Sequence, residues 1–249
     1  MRSAAILIVG DEVLSGEVRD ENGPFLLARL SAHGTRVVRM AAVRDVLSEI
    51  ADEIRRMRAV ADVVLVSGGI GPTHDDVTRP AVAAALSVPL ARLPEAEAHV
   101  RRWYASATTE AELTMADLPR GSRLVRGATT SALGFAVSGV YVFPGVPFLL
   151  RDLFEGCASD FAGEPLHRAE VPTELREGEL ADALAAIQAR ALDVAIGSYP
   201  RLEHDGVWRT RIVVRSNDRA RAEAVSAEVR EAFARIEGGG GSRGTHTKK

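Results

Sequence analysis

One cysteine, Cys157, stands in 249 residues. No internal disulfide and no cysteine-based metal cluster can form, and a reducing, cytoplasmic setting is expected. Net charge is equally sparse, at −3. A chain so nearly neutral projects no broad field toward nucleic acid or an acidic membrane, so neither is expected as a partner. A small anionic ligand would need a local site. Nowhere is there a run of the roughly 18 apolar residues that crosses a bilayer. The opening run Ala4-Ala5-Ile6-Leu7-Ile8-Val9 reaches Gly10-Asp11-Glu12 at once, too short and too quickly charged for a secretion signal.

What is present describes a globular protein: 46% hydrophobic and 26% charged residues, enough for one large or two modest domains. The first 150 or so residues alternate β-rich runs with helical patterns. Strands are expected at Ala5–Val9, Val37–Val43, Asp62–Ser67 and Tyr141–Phe143, with helices from Pro24, Val46, Asp76 and Pro147. Residues 94–116 read as helical and polar. Such alternation predicts a parallel sheet with helices on both faces, and the continuous apolar strands predict burial on both sides. Composition shifts near Cys157–Pro165. A strand–helix–strand–strand–helix pattern follows, in which Trp208, Thr210, Ile212 and Val214 alternate with Arg209, Arg211, Val213 and Arg215. The expected boundaries are 1–160 for the α/β domain, 165–237 for a small α+β domain and 238–249 for a disordered tail.

In open parallel sheets, ligands bind beyond the carboxyl ends of the strands. Three loops fall there: Gly10-Asp11-Glu12-Val13-Leu14-Ser15-Gly16 leading to Asp20-Glu21-Asn22; Asp45; and Ser67-Gly68-Gly69-Ile70-Gly71-Pro72-Thr73-His74-Asp75-Asp76-Val77-Thr78. Glycines let the backbone approach an anion, and the N–H groups of a helix start can face it. No Gly-Lys-Ser/Thr follows, so the last loop is no Walker loop, and its glycine spacing is not the dinucleotide fingerprint. Adjacent acids suit a divalent ion or proton transfer. They suit helix capping equally, which is the bland alternative for Asp20, Asn22, Asp45, Asp76 and Thr78. His74 has no second histidine nearby and reads as a loop residue.

Together these segments, with Val43-Arg44-Asp45 and Phe143-Pro144-Gly145-Val146-Pro147, resemble the competence/damage-inducible protein A (CinA) family. The resemblance covers roughly residues 4–155. It implies a three-layer, mostly parallel α/β domain of the molybdopterin-binding (MoaB/Mog-like) type, followed by the small α+β domain. The amidase domain that many members carry is not expected within these 249 residues. The family implies either binding of molybdopterin or a divalent-metal-dependent (Mg, Mn or Co) pyrophosphatase acting on ADP-ribose, giving AMP and ribose 5-phosphate. A related domain is fused to eukaryotic FAD synthase. On this resemblance Asp45 and Asp76 are the catalytic acids, and Asp45, Asp75 and Asp76 the metal ligands. Gly68, Gly69, Gly71 and Thr73 hold phosphate, flanked by Ser67, Pro72, Thr78, Pro144 and Gly145. Gly10, Asp11, Glu12, Ser15, Gly16, Asp20 and Asn22 line the opposite wall. The partner is a nucleotide or pterin, and a homo-oligomer, dimer or trimer, is expected. The chain departs from the family at Gly127-Ala128-Thr129-Thr130-Ser131-Ala132-Leu133-Gly134, where an Asn-Pro-x-Gly-x-Ala-Pro-Gly-like stretch is usual. It departs again at Phe148-Leu149-Leu150, where a Glu is common.

Overall fold

A computed structural model describes residues 2–104, 108–130, 132–204 and 208–239. The chain divides into two compact units, Met1–Glu164 and Pro165–Lys249.

The first unit begins with β1 (Ser3–Val9), α1 (Asp11–Leu14), α2 (Asn22–Ala32), β2 (Arg36–Val43), α3 (Leu47–Arg58), β3 (Val63–Ser67) and α4 (Thr78–Leu86). It continues through β4 (Leu90–Arg92), α5 (Pro94–Tyr104), α6 (Glu110–Leu113), β5 (Asp117–Pro119), β6 (Arg123–Val125), β7 (Gly134–Val137), β8 (Val140–Phe143) and α7 (Pro147–Gly156). The main sheet has the order β2-β1-β3-β8-β7-β6. Its first four strands are parallel; β7 runs antiparallel to β8, and β6 antiparallel to β7. β1, β3 and β8 are buried on both faces, as their apolar sequence requires, whereas β2, expected to be buried likewise, lies at the sheet edge and has no buried residue. Leu7, Val9, Val64 and Val66 pack on Ile50, Ile54 and Met57 of α3 and Val82 of α4. Their alternates Ile6, Ile8 and Leu65 pack on Leu26 and Leu30 of α2 and Leu150 and Phe154 of α7. The period of two along each strand is what makes three layers. Each such side chain contributes about 1.5–3 kcal/mol by leaving water. β4 and β5 form a separate antiparallel ribbon that the sequence pattern did not reveal. The polar stretch at 94–116 is not one helix: α5 ends at Tyr104, and α6 and a 3₁₀ turn at Thr114–Ala116 follow.

The second unit contains β9 (His167–Thr173), α8 (Glu177–Arg190), β10 (Ala195–Leu202), β11 (Trp208–Ser216) and α9 (Arg219–Gly239). Its antiparallel sheet is ordered β10-β11-β9. Thr210, Ile212 and Val214 are buried, and Ile212 and Val214 pack with Leu180 and Ile187 of α8 and Val225, Val229 and Phe233 of α9. Trp208 shares their alternation, yet at the start of the strand it is exposed. Gly238 and Gly239 belong to α9, two residues beyond the expected start of the tail. The rest of that tail, 240–249, lies outside the described residues. Among the described residues no helix is long and apolar enough to cross a membrane.

Candidate functional site

β1, β2, β3 and β8 are parallel neighbours, so the loops at their carboxyl ends share one edge of the sheet. The 67–78 loop is fixed there by its backbone. Gly68 has φ +106°, and a Cβ on it would lie 2.1 Å from the Val9 carbonyl oxygen, so only glycine lets β3 leave beside β1. The Gly68 N–H donates to the Phe143 carbonyl at 3.1 Å, and the buried Thr78 hydroxyl donates to the Gly68 carbonyl at 2.9 Å.

These bonds revise which groups can meet an anion. Thr78 N–H donates to the Gly69 carbonyl and Ala81 N–H to the Val77 carbonyl, while Pro80 has no N–H. The start of α4 is therefore largely satisfied from within, and Thr78 braces the loop rather than capping the helix. Gly68 N–H is likewise in use, and Thr73 donates both its N–H (2.9 Å) and its hydroxyl (2.5 Å) to Asp76 Oδ2. Expected to bind phosphate directly, Gly68 and Thr73 instead shape the turn. The amides of Gly69, Ile70 and Gly71 have no acceptor among the described residues and are the donors left to a ligand.

The acids separate by role. Asp45 does not cap α3, whose start at Val46 has no side-chain cap; its Oδ2 accepts the Asp11 N–H at 2.8 Å. Burial pushes the Asp45 carboxyl above its ordinary range, the Asp11 bond opposes this, and the charges of Glu12, Asp11 and Asp75 add to the rise. Asp76 is held by Thr73, and Asp75 is exposed beside the exposed His74. Among the described residues no group of three or more His, Cys, Asp or Glu could hold a metal ion. The side chains alone thus form no metal cage. A hard ion that shares its shell with phosphate and water needs only one or two carboxylates. Asp45, with Asp11, Glu12 and Asp75 around it, is where the chain offers that.

The opposite wall is tied to the loop by Asn22. Its amide nitrogen donates to Ser67 Oγ at 2.9 Å and to the Gly145 carbonyl at 2.6 Å. Asn22 is 6% exposed, and its Oδ1 is buried without a partner. Asp20 Oδ1 accepts the N–H groups of Asn22 and Gly23, so Asp20 organises the start of α2 while Asn22 faces the site. Glu12, Asp20, Asn22, Ser67 and Gly145 line a small cavity of about 60 Å³. Gly10 donates its N–H to the Val43 carbonyl, Ser15 Oγ donates to the Glu12 carbonyl, and Gly16, at φ +81°, ends the turn.

Sequence reasoning missed the rest of the site. Beside Gly71, Pro72 and Pro144 opens an apolar cavity of about 240 Å³, walled by Trp103, Met115 and Leu133 among others. The pair Trp103-Tyr104 in an otherwise polar helix was the available signal. Arg79, on the first turn of α4, is 6% exposed; its Nη2 donates to the Gly71 carbonyl at 2.8 Å, and Nη1 is buried without a partner. Burial lowers its pKa, partly offset by the charges of Asp76 and Asp117. A cation behind the loop favours an anion in front of it.

Fold and edge geometry define an α/β domain with a glycine-rich loop at the carboxyl edge of its parallel strands. Residues 5–163 match the family described as probable molybdopterin binding domain, and the chain belongs to that family. Residues 165–237 match the middle domain of FAD synthase. The chain is 34% identical over 198 residues to a protein of Archaeoglobus fulgidus, covering 79% of this chain and 85% of that one. It is 34% identical to a CinA-like protein of Frankia casuarinae (92% of this chain, 57% of that one) and 29% identical to a probable FAD synthase of Caenorhabditis elegans (94% and 50%). It thus spans only about half the length of these last two. A crystal structure of the protein CinA with unknown function from Thermoplasma acidophilum is similar at TM-score 0.61 and 33% identity, over 64% of this chain and 98% of that one.

Proposed function

We propose that this chain binds a nucleotide at the carboxyl edge of its first unit and hydrolyses a diphosphate linkage, with ADP-ribose, or a similar dinucleotide, giving AMP and a sugar phosphate. The observation that carries this reading is Asp45: a carboxyl with a raised pKa beside the unpartnered amides of Gly69–Gly71. Those amides would hold phosphoryl oxygens, and Arg79 would stabilise their charge from behind. The apolar cavity beside Pro72 would take the heterocycle. In hydrolysis the water oxygen bonds to phosphorus, the bridging P–O bond breaks, and Asp45 accepts the water's proton. Asp75, with Asp45 beside it, would hold a Mg²⁺, Mn²⁺ or Co²⁺ ion, which when bound would supply neutralisation of phosphoryl charge.

The test is purified protein with ADP-ribose and each metal, followed by AMP release. We expect turnover that falls about 10²-fold or more in Asp45→Asn. Asp76→Ala, which frees Thr73, is expected to raise KM more than it lowers kcat. Absence of AMP with every metal overturns catalysis.

A second reading, a molybdopterin- or nucleotide-binding protein without catalysis, is favoured by one observation: no metal-holding group among the described side chains. Calorimetry giving tight, metal-insensitive binding without product would support it. The homo-oligomer expected from the sequence belongs to either reading, and a monomeric mass by light scattering removes it.

A further inference from the structure

α5 presents His99, Arg102 and Trp103 together, because residues three and four apart share a helix face. These three side chains wall a cavity of about 410 Å³, closed on another side by Arg126, Gly127 and Thr130. His99 and Trp103 also wall the apolar cavity beside Gly71 and Pro72. The two cavities are therefore neighbours with opposite chemistry. Val100, Met115 and Leu133 line the smaller, and two guanidinium groups line the larger. Arg126 is paired with Glu95, whereas Arg102 has no acidic partner among the described residues.

The far side of the larger cavity is built with unusual care. Asp152, on α7, accepts five hydrogen bonds: from the N–H groups of Ala128, Thr129 and Thr130 and from the hydroxyls of Thr129 and Thr130. Partial desolvation would raise its pKa, but the bonds from Thr130 and Thr129 outweigh this and hold it well below the carboxylate range. A Cβ on Gly127 would lie 1.7 Å from Asp152 Oδ2, so glycine is what lets the turn close onto the carboxylate. This is the stretch where the sequence leaves its family's pattern. One carboxylate on a rigid helix fixes the backbone that faces Arg102.

We propose that the larger cavity is a second anion subsite, and that the ligand is a nucleotide carrying two phosphates set apart by its nucleoside. One phosphate lies at Gly69–Gly71, the heterocycle lies in the apolar cavity against Trp103, and the second phosphate pairs with Arg102. Asp152 is the positioning residue for this subsite. The proposal rests on the reading of the glycine loop as a phosphate site.

The experiment is calorimetry of the full chain with AMP, adenosine 2′,5′-bisphosphate and adenosine 3′,5′-bisphosphate, in wild type, Arg102→Gln and Asp152→Asn. At least one bisphosphate should bind wild type about tenfold or more tightly than AMP, the margin of a charge-assisted contact. Both variants should lose that margin while keeping wild-type affinity for AMP, a ratio that a general loss of stability would not move. Melting temperatures report that the variants are folded. AMP binding with no bisphosphate advantage, or an advantage that survives Arg102→Gln, overturns the subsite and leaves the loop reading standing. No binding of AMP or of either bisphosphate overturns both.

Discussion

Asn22 and Ser67 are 45 positions apart in the chain, yet the Asn22 amide donates to the Ser67 hydroxyl at 2.9 Å in the interior. With its second bond to the Gly145 carbonyl, Asn22 joins the loops that follow β1, β3 and β8. Asn22→Ala should cost about 1–3 kcal/mol, because the buried Ser67 hydroxyl and the Gly145 carbonyl lose their donor. Asn22→Asp should cost more at neutral pH, since a carboxylate there faces a carbonyl oxygen. Burial would raise that carboxyl's pKa, so the excess loss should shrink as pH falls and the group protonates. Urea unfolding from pH 4 to 8 measures this; equal stability of the two variants at all pH values would count against the bridge.

Asp45 predicts an opposed effect on stability and function. Its folded pKa is raised, so the folded state favours the protonated form. Below the ordinary carboxylate value both states hold the proton and nothing is gained or lost. As pH rises through the raised value, ionisation destabilises the fold. Asp45→Asn, which can still accept the Asp11 N–H, should therefore melt higher than wild type at pH 7, with the difference vanishing at low pH. Thermal melts across that range decide it.

Gly68→Ala tests whether the loop is a precondition of the fold. The substitution forces φ +106° on an L-residue and drives a Cβ toward the Val9 carbonyl 2.1 Å away. That carbonyl is backbone of β1, an interior strand, and cannot yield cheaply. We expect a loss of about 2–4 kcal/mol and no nucleotide binding. Gly16→Ala has an open surround and should lose no more than the cost of its φ.

Cys157 should be chemically silent in the native protein. Burial pushes its thiol up to about 12, with Asp160 adding to the rise, and its Sγ donates to the Leu153 carbonyl at 3.3 Å. A thiol reagent at pH 8 should label nothing in native protein and one group in denaturant. Rapid native labelling would show that α7 opens far more readily than its packing implies.

Much of the architecture was legible because its signals are local. The apolar runs Ala5–Val9 and Val63–Ser67, with Ile50, Ile54 and Met57 at helical spacing, give burial on two faces and hence three layers. The alternation along Trp208–Arg215 marked a sheet with one covered face; Trp208, exposed at the strand end, and Val213, buried on the other face, broke it. The β4–β5 ribbon was illegible, since three-residue strands carry too little periodicity. Candidate site residues were legible as residue types, but not their occupations. Thr73, Gly68 and Thr78 read as ligand groups or caps; each proves to be committed to its neighbours. His99, Arg79 and Asp152 gave no signal because their significance is positional.

The sequence by itself determined the two-unit α/β and α+β organisation, the glycine loop and its family, because helix and strand periods and glycine spacing act over a few residues. Only the tertiary structure decided that Asn22 holds Ser67 and Gly145, that Asp45 is buried enough to carry a raised pKa, and that α5 and the Asp152 turn enclose a second cavity. Those facts depend on burial and on bonds between residues far apart in the chain, and both exist only once the sheet has brought its carboxyl ends to one edge.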